Sequence, residues 1–290
     1  MSGVLRFYAA APRTHKYIGG TTNMQPYLLS LDLDGTACDY TGHLGDETKH
    51  SLTAARAQGH IICFATGRRD IDMYTFWEEC QYADYLLLNN GGKLIRTKDG
   101  AVLFNHYVSS DAAKELVECC LKESYQLHVI SGEFWAVNRW TKGLENYIGL
   151  LGTTPVRYAT LDELPWRRIE GFMATADHSS ICEYIQMAGL PLECVPSEPG
   201  CVDIMALGVN KRSGLEQLVQ LLNISQRHLI AAGDYTNDLE MIRFAGIGVA
   251  VANALPEVKA AANYVTKRDN NHNAVTEIVS KFLIPNKTYH

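Results

Sequence analysis

An α/β fold built on a doubly wound, mostly parallel sheet, with a smaller α+β domain inserted into it, is the class that the 290-residue sequence predicts. Two observations carry the prediction. Short apolar runs that break into small polar or acidic residues alternate with helix-like segments, which is the rhythm of parallel strands joined by crossover helices. Between about residues 107 and 199 that rhythm gives way to mixed hairpin and helix patterns, and afterwards it resumes.

Residues 1–23 stand apart from the rest. They carry Arg6, Arg13 and Lys16, no acidic residue, and a Gly19-Gly20-Thr21-Thr22 junction. Their apolar stretch is too short for a signal sequence, so they read as a disordered leader ahead of Met24, with a transit peptide, which the basic, acid-free composition permits, as the alternative.

The larger domain begins with Tyr27-Leu-Leu-Ser-Leu-Asp-Leu-Asp-Gly-Thr36, an apolar strand whose exit carries Asp32 and Asp34. Strand periodicity puts these two carboxylates on one side, and Gly35 permits a sharp turn beside a ligand. Residues 46–59 form a helix with an acidic first turn and a glycine stop. A second apolar run follows and breaks into Ala65-Thr-Gly-Arg68. Strand, helix and strand in this order form a right-handed crossover, so the two strand ends lie side by side. A helix over 71–80 then leads to a third run ending in Asn89-Asn90-Gly91-Gly92, and residues 24–106 make the first part of the domain.

The insertion, residues 107–199, opens with a helix capped by Ser109-Ser110-Asp111 and running to Glu123. Strands at 127–131 and 134–139, a helix near Leu144, a strand at 171–176, a helix at 179–188 and a strand at 192–195 complete it. Alternation places Trp135, Val137 and Arg139 on one face of their strand, with Phe134, Ala136 and Asn138 on the other. Residues 200–290 return to the larger domain. They supply a strand from Val202, a helix at 213–222 behind Asn210-Lys211, a strand at 229–233 breaking into Gly233-Asp-Tyr-Thr-Asn-Asp238, and further βα alternation to about residue 266.

A composition of 47% hydrophobic and 20% charged residues is that of a globular chain. A formal net charge of -6 argues against a general binder of nucleic acid or of anionic membrane, because phosphate backbones attract basic faces. Eight cysteines without a Cys-x-x-Cys spacing indicate neither a zinc ribbon nor a redox motif, and reduced thiols in a cytoplasmic protein are the expectation. Cys38, just past the acidic loop, is a candidate oxidant-sensitive thiol.

The strand ends together offer Asp32, Asp34, Thr66, Asp234 and Asp238, with Lys211 from a helix start. Such a set can hold Mg²⁺, which takes oxygen ligands, and can bind one phosphoryl group through Lys211 and Thr66. A strand-end Asp alone is usually a turn or helix cap, and Asp238 could simply cap the helix that follows it.

In order, Asp-Leu-Asp-Gly-Thr, Ala-Thr-Gly-Arg, Asn-Lys before a helix, and Gly-Asp-Tyr-Thr-Asn-Asp resemble the four motifs of the haloacid dehalogenase-like phosphatase superfamily. The position and mixed character of the insertion resemble the Cof-type branch with its C2-type cap. The resemblance implies a Rossmann-like core and a Mg²⁺-dependent phosphatase acting on a small phosphorylated metabolite through a phospho-aspartate. It implies Asp32 as nucleophile and metal ligand, and Asp34 as general acid and base that also lends its backbone carbonyl to the metal. Asp234 becomes the third protein ligand, and Asp238 holds metal-bound water or orients Lys211. Thr66, Lys211 and Asn237 bind phosphate, with Gly67, Asn90 and Gly91 bordering the substrate.

Phosphoryl transfer of the mutase kind and a catalytically idle reader of phospho-ligands are the alternatives. The expected partner is a small phosphorylated substrate, with neither nucleic acid nor membrane, and the expected assembly is a monomer or homodimer. Arg212 stands where the family usually has glycine, which either crowds the helix start or makes the phosphate site more cationic. Near the end, Asn273 stands where a turn glycine is usual, and asparagine can hold the left-handed conformation that such a turn needs.

Overall fold

The computed structural model describes residues 25–198 and 200–284, so the expectation for residues 1–23 lies outside the described residues. Two sheets organise the chain. The larger has eight strands: β1 (Leu28–Leu31), β2 (Ile61–Ala65), β3 (Tyr85–Leu88), β4 (Lys93–Arg96) and β5 (Ala101–Asn105) come before the insertion. After the insertion come three more, which are named below with the helices that join them.

The smaller sheet is assembled from β6 (His128–Ser131), β7 (Phe134–Val137), β8 (Val156–Arg157), β9 (Gly171–Ala174), β10 (Leu192–Glu198) and β11 (Cys201–Ala206), in the order β10-β11-β9-β6-β7-β8. The larger sheet is completed by β12 (Leu229–Gly233), β13 (Ile247–Ala250) and β14 (Tyr264–Val265), giving the order β14-β13-β12-β1-β2-β3-β4-β5. Its first six strands run parallel, and β4 and β5 add an antiparallel edge.

The helices are α1 (Asp46–Ala57), α2 (Ser110–Glu123), α3 (Lys142–Leu151), α4 (His178–Ala188), α5 (Lys211–Leu221), α6 (Leu239–Phe244), α7 (Pro256–Ala261) and α8 (Ala274–Phe282). Strand β1 is apolar on both faces because both are covered. Leu29 and Leu31 pack with Leu52 of α1 and Ile278 of α8, while Leu28 packs on the opposite side with Leu215 of α5 and Met241 of α6. In the smaller sheet, Val129, Ala136 and Phe172 pack against Leu116 of α2 and Ile181 of α4. The alternation expected in β7 holds: Trp135 and Val137 leave that cluster and pack with Ile71 and Leu144, and Phe134 and Ala136 remain in it.

Four expectations change. Strand β11 pairs with β9 and β10, so the run beginning at Val202 belongs to the smaller sheet, and the chain returns to the larger one only at α5. The helix expected over 71–80 is a succession of tight 3-10 turns, Asp70–Tyr82; Asp70, Asp72 and Glu79 in it are buried on ion pairs or hydrogen bonds, so the segment follows its polar anchors and not a helical stripe. Cys182 and Cys194 form a disulfide between α4 and β10, contrary to wholly reduced thiols. Cys38 is fully buried and burial pushes its thiol up, which removes the case for oxidant sensitivity. Among the described residues no helix is long and apolar enough to cross a membrane.

Candidate active site

In the larger sheet β1 lies between β2 and β12, so the chain order reverses at β1. Ligands of doubly wound sheets settle outside the carboxyl ends of the strands at such a point. There Asp32 follows β1, Thr66 follows β2 and Asp234 follows β12, and parallel registers align the three ends: Leu31 pairs with Phe64 on one side and with Ala232 on the other.

Lys211 reaches this mouth from the first turn of α5, which Asn210 caps by accepting the Ser213 N–H at 3.0 Å. Its side chain is fully buried, and its Nζ donates to Asp32 Oδ1 at 2.7 Å and to Asp238 Oδ1 at 2.6 Å. The other oxygen of Asp238 accepts the N–H groups of Asp234 at 2.9 Å and Tyr235 at 3.1 Å. Both oxygens of Asp238 are thus committed to fixing Lys211 and the loop after β12. Asp234 Oδ1 accepts from the Thr36 hydroxyl at 2.9 Å.

Ligand oxygens of Asp32, Asp234 and Asp238 all lie within 4.8 Å of one another. Burial raises the Asp32 carboxyl well above its ordinary value, Lys211 opposes that, and the neighbouring carboxylates add to it. Asp234 is pushed up to about 6, again by burial first and then by Asp238. Three carboxylates gather around the single Lys211 ammonium, and a hard cation with oxygen ligands fits the negative charge that one ammonium leaves unbalanced.

Strand β1 ends at Leu31, and a tight turn over Leu33–Ala37 separates the first two carboxylates instead of keeping them on one strand face. Gly35 sits in this turn at φ 78°, and a Cβ there would overlap the Asp234 carboxylate. Asp34 consequently points to the opening, with 61% of its side chain exposed, where Arg68 clasps it through Nε at 2.8 Å and Nη2 at 2.6 Å.

The Thr66 hydroxyl is buried and accepts the Arg68 N–H at 3.1 Å. Asn90, in a left-handed conformation at φ 49°, accepts from Asn237 Nδ2 at 3.0 Å and donates its own amide to Asp203 at 2.7 Å. Gly67 lies against the Asn90 side chain, and Gly91, at φ 98°, lets the turn touch the start of α5; a Cβ there would overlap the Asn210 carbonyl oxygen.

All ten expected residues thus gather at one mouth: Asp32, Asp34, Thr66, Gly67, Asn90, Gly91, Lys211, Asp234, Asn237 and Asp238. Arg212 does not join them. It pairs with Glu216 at 2.9 Å and Glu240 at 3.5 Å and lies over Phe244, so it neither crowds the helix start nor adds charge to the site. Asn273 holds the left-handed turn before α8, at φ 59°.

Sequence reasoning passed over three contributors. Arg68 was legible as the cation of Ala-Thr-Gly-Arg, although its bond to Asp34 was not. Thr36 was legible as the last residue of Asp-Leu-Asp-Gly-Thr, although its bond to Asp234 was not, and Asn253, which donates to the Gly35 carbonyl at 2.7 Å, carries no sequence signal that separates it from ordinary loop residues.

A family model of haloacid dehalogenase-like hydrolases matches residues 29–279 of the chain. Putative phosphatase YxeH of Bacillus subtilis is 29% identical over 268 residues, covering 87% of this chain and 98% of its own. The HMP-PP phosphatase of Cronobacter sakazakii is 28% identical over 237 residues, covering 80% and 86%. Among solved structures, a haloacid dehalogenase-like hydrolase from Bacteroides thetaiotaomicron shares the fold, with a TM-score of 0.77 at 22% identity over 89% of this chain and 99% of that one.

Proposed function

We propose that this chain, which belongs to the haloacid dehalogenase-like hydrolase family and is a phosphoric monoester hydrolase, uses Asp32 to take the phosphoryl group from a small phosphorylated metabolite and then passes it to water. The observation that carries the reading is the fully buried Lys211, fixed between Asp32 and Asp238 at the mouth of three aligned strand ends. A structural ion pair needs no such opening. A lysine held beside a nucleophilic carboxylate meets the charge of an incoming phosphoryl group.

Asp32 and Asp234 would hold Mg²⁺ together with the backbone carbonyl of Asp34. When bound, the ion offsets the negative charge that gathers around the transferring phosphoryl oxygens. Lys211 and Thr66 orient those oxygens. A carboxylate oxygen of Asp32 attacks phosphorus, the bond to the leaving oxygen breaks, and Asp34 supplies the proton which that oxygen needs.

In the second half Asp34 removes a proton from water, the water oxygen attacks phosphorus, and inorganic phosphate leaves with the Asp32 carboxylate restored. One carboxyl buried on a lysine and the other exposed on an arginine have environments different enough for these two roles. Closure of the smaller domain over the mouth would exclude bulk water. A small phosphorylated substrate agrees with the name of the HMP-PP phosphatase relative.

Release of inorganic phosphate from p-nitrophenyl phosphate is the test, measured with Mg²⁺, with EDTA, and for Asp32→Asn and Asp34→Asn. Asp32→Asn and EDTA are expected to abolish turnover, and Asp34→Asn to slow it by about 10²-fold or more. Equal rates in all four conditions would sink the mechanism.

A further inference from the structure

The residues that follow β2 serve both domains. One short stretch carries the Thr66 hydroxyl at the mouth, the Arg68 fork on Asp34, and Arg69, which meets the smaller domain. Local bonds make the stretch one unit. Besides the Arg68 N–H on Thr66, the Arg68 carbonyl accepts the Asn89 N–H at 3.1 Å, the Arg69 N–H donates to the Asp72 carboxylate at 2.9 Å, and the Arg69 carbonyl accepts the Asp72 N–H at 3.0 Å. Neither arginine can shift far without its neighbour.

Arg69 is buried. Its Nε and Nη2 hold the Asp72 carboxylate at 2.6 and 2.7 Å, and Nη2 also donates to the hydroxyl of Tyr147, on α3, at 2.8 Å. The guanidinium lies 5.1 Å from the centre of the Trp135 ring and 5.6 Å from that of Tyr147, and those two rings meet edge to face. A second contact runs alongside. Ile71 packs with Trp135, Val137 and Leu144 of the smaller domain, and Phe76, in the same Asp70–Tyr82 segment, lies 4.9 Å from the Arg68 guanidinium. The smaller domain thus reaches Arg68 through the backbone of Arg69 and through the ring on which Arg68 rests.

Asp34 depends on that arginine. Its side chain is 61% exposed on a turn, and among the described residues the hydrogen bonds to its carboxylate both come from Arg68. An acid delivers its proton only within hydrogen-bond reach of the leaving oxygen, and an exposed carboxyl without its fork is free to rotate out of reach.

We propose that Tyr147 is a positioning residue for Asp34, acting through Arg69 and Arg68, so that proton delivery to the leaving group is tied to the docking of the smaller domain. The inference rests on the phosphatase reading and adds a residue remote from the reacting atoms to it. Leaving groups of different basicity test it. p-Nitrophenolate departs with little help, phenolate needs more, and an alkoxide needs its proton in full. kcat/KM is therefore measured with Mg²⁺ for p-nitrophenyl, phenyl and benzyl phosphate, on the wild type, Tyr147→Phe, Arg68→Gln and the double variant. Tyr147→Phe keeps the ring against Trp135 and removes only the hydroxyl. The ratio of the benzyl to the p-nitrophenyl ester, taken within one preparation, does not depend on how much of it is folded.

Arg68→Gln is expected to lower that ratio by about tenfold or more, and Tyr147→Phe by about threefold or more. In the Arg68→Gln background the second substitution is expected to add nothing, because residues that act along one route are not additive. A wild-type ratio in Tyr147→Phe, an equal fall on all three esters, or a fall that adds in full to that of Arg68→Gln overturns the inference. Ester turnover that Asp32→Asn abolishes leaves the phosphatase reading standing in each of those cases. No release from any ester by the wild type overturns both.

Discussion

Replacing Lys211 by Met removes the one ammonium shared by two buried carboxylates. Asp238 is 0% exposed and Asp32 is 5% exposed, so neither can recover its hydration in the folded chain. Breaking a buried pair by deleting one partner costs about 3–5 kcal/mol, and two carboxylates sharing the loss place Lys211→Met near the upper end. The cost depends on pH, and its sign is fixed. Burial already holds Asp32 above its ordinary value and Asp234 at about 6, with Lys211 the chief influence pulling Asp32 down.

Without Lys211 the folded-state pKa of Asp32 rises further above the unfolded one. A carboxyl shifted in that direction favours the fold below its unfolded pKa and loses that contribution as pH rises through the folded value. The deficit of the variant therefore shrinks on acidification. Urea unfolding of wild type and Lys211→Met in EDTA, at about pH 7 and about pH 5, measures it from the midpoints and slopes. A deficit under about 1 kcal/mol at neutral pH, or one that grows toward acid, refutes the reasoning.

Three other outcomes are expected. Gly91→Ala places a Cβ against the Asn210 carbonyl at a backbone angle of φ 98°, and thermal unfolding should show a loss of about 2–4 kcal/mol together with weaker phosphate release. His128 accepts from Trp135 Nε1 at 3.0 Å, and burial with the nearby Arg69 lowers it to about 3. The unfolded chain takes up that proton first, so stability falls as pH drops from about 6.5, by about 1.4 kcal/mol per unit; His128→Asn should flatten this slope in paired denaturation curves. Reducing the Cys182–Cys194 disulfide, which spans 12 positions, or replacing both residues with Ser, should lower stability by about 3 kcal/mol, read as a shift of the melting temperature with and without reductant.

Much of this architecture is written locally. A run such as Leu28–Leu31 is apolar on both faces only when helices cover both, and its break at Asp32 marks the carboxyl end where a doubly wound sheet binds its ligand. Asp32, Asp34, Lys211 and Asp234 were legible for that reason: each stands at a strand exit or a helix start that the sequence punctuates with glycine or a capping residue. Left-handed Asn273 was legible too, because few residue types tolerate that conformation.

Pairings between distant segments were decided elsewhere. Strand β11 reads locally like a strand of the larger sheet, and only its antiparallel register with β9 and β10 assigns it to the smaller one. Whether Asp238 caps its helix or holds Lys211, and whether Arg68 reaches Asp34, depends on segments far apart in the chain meeting at one mouth. Residue type limits what each side chain can do; which partner it meets, and whether a buried atom such as Arg69 Nη1 is left without one, is settled only where distant segments of the chain meet.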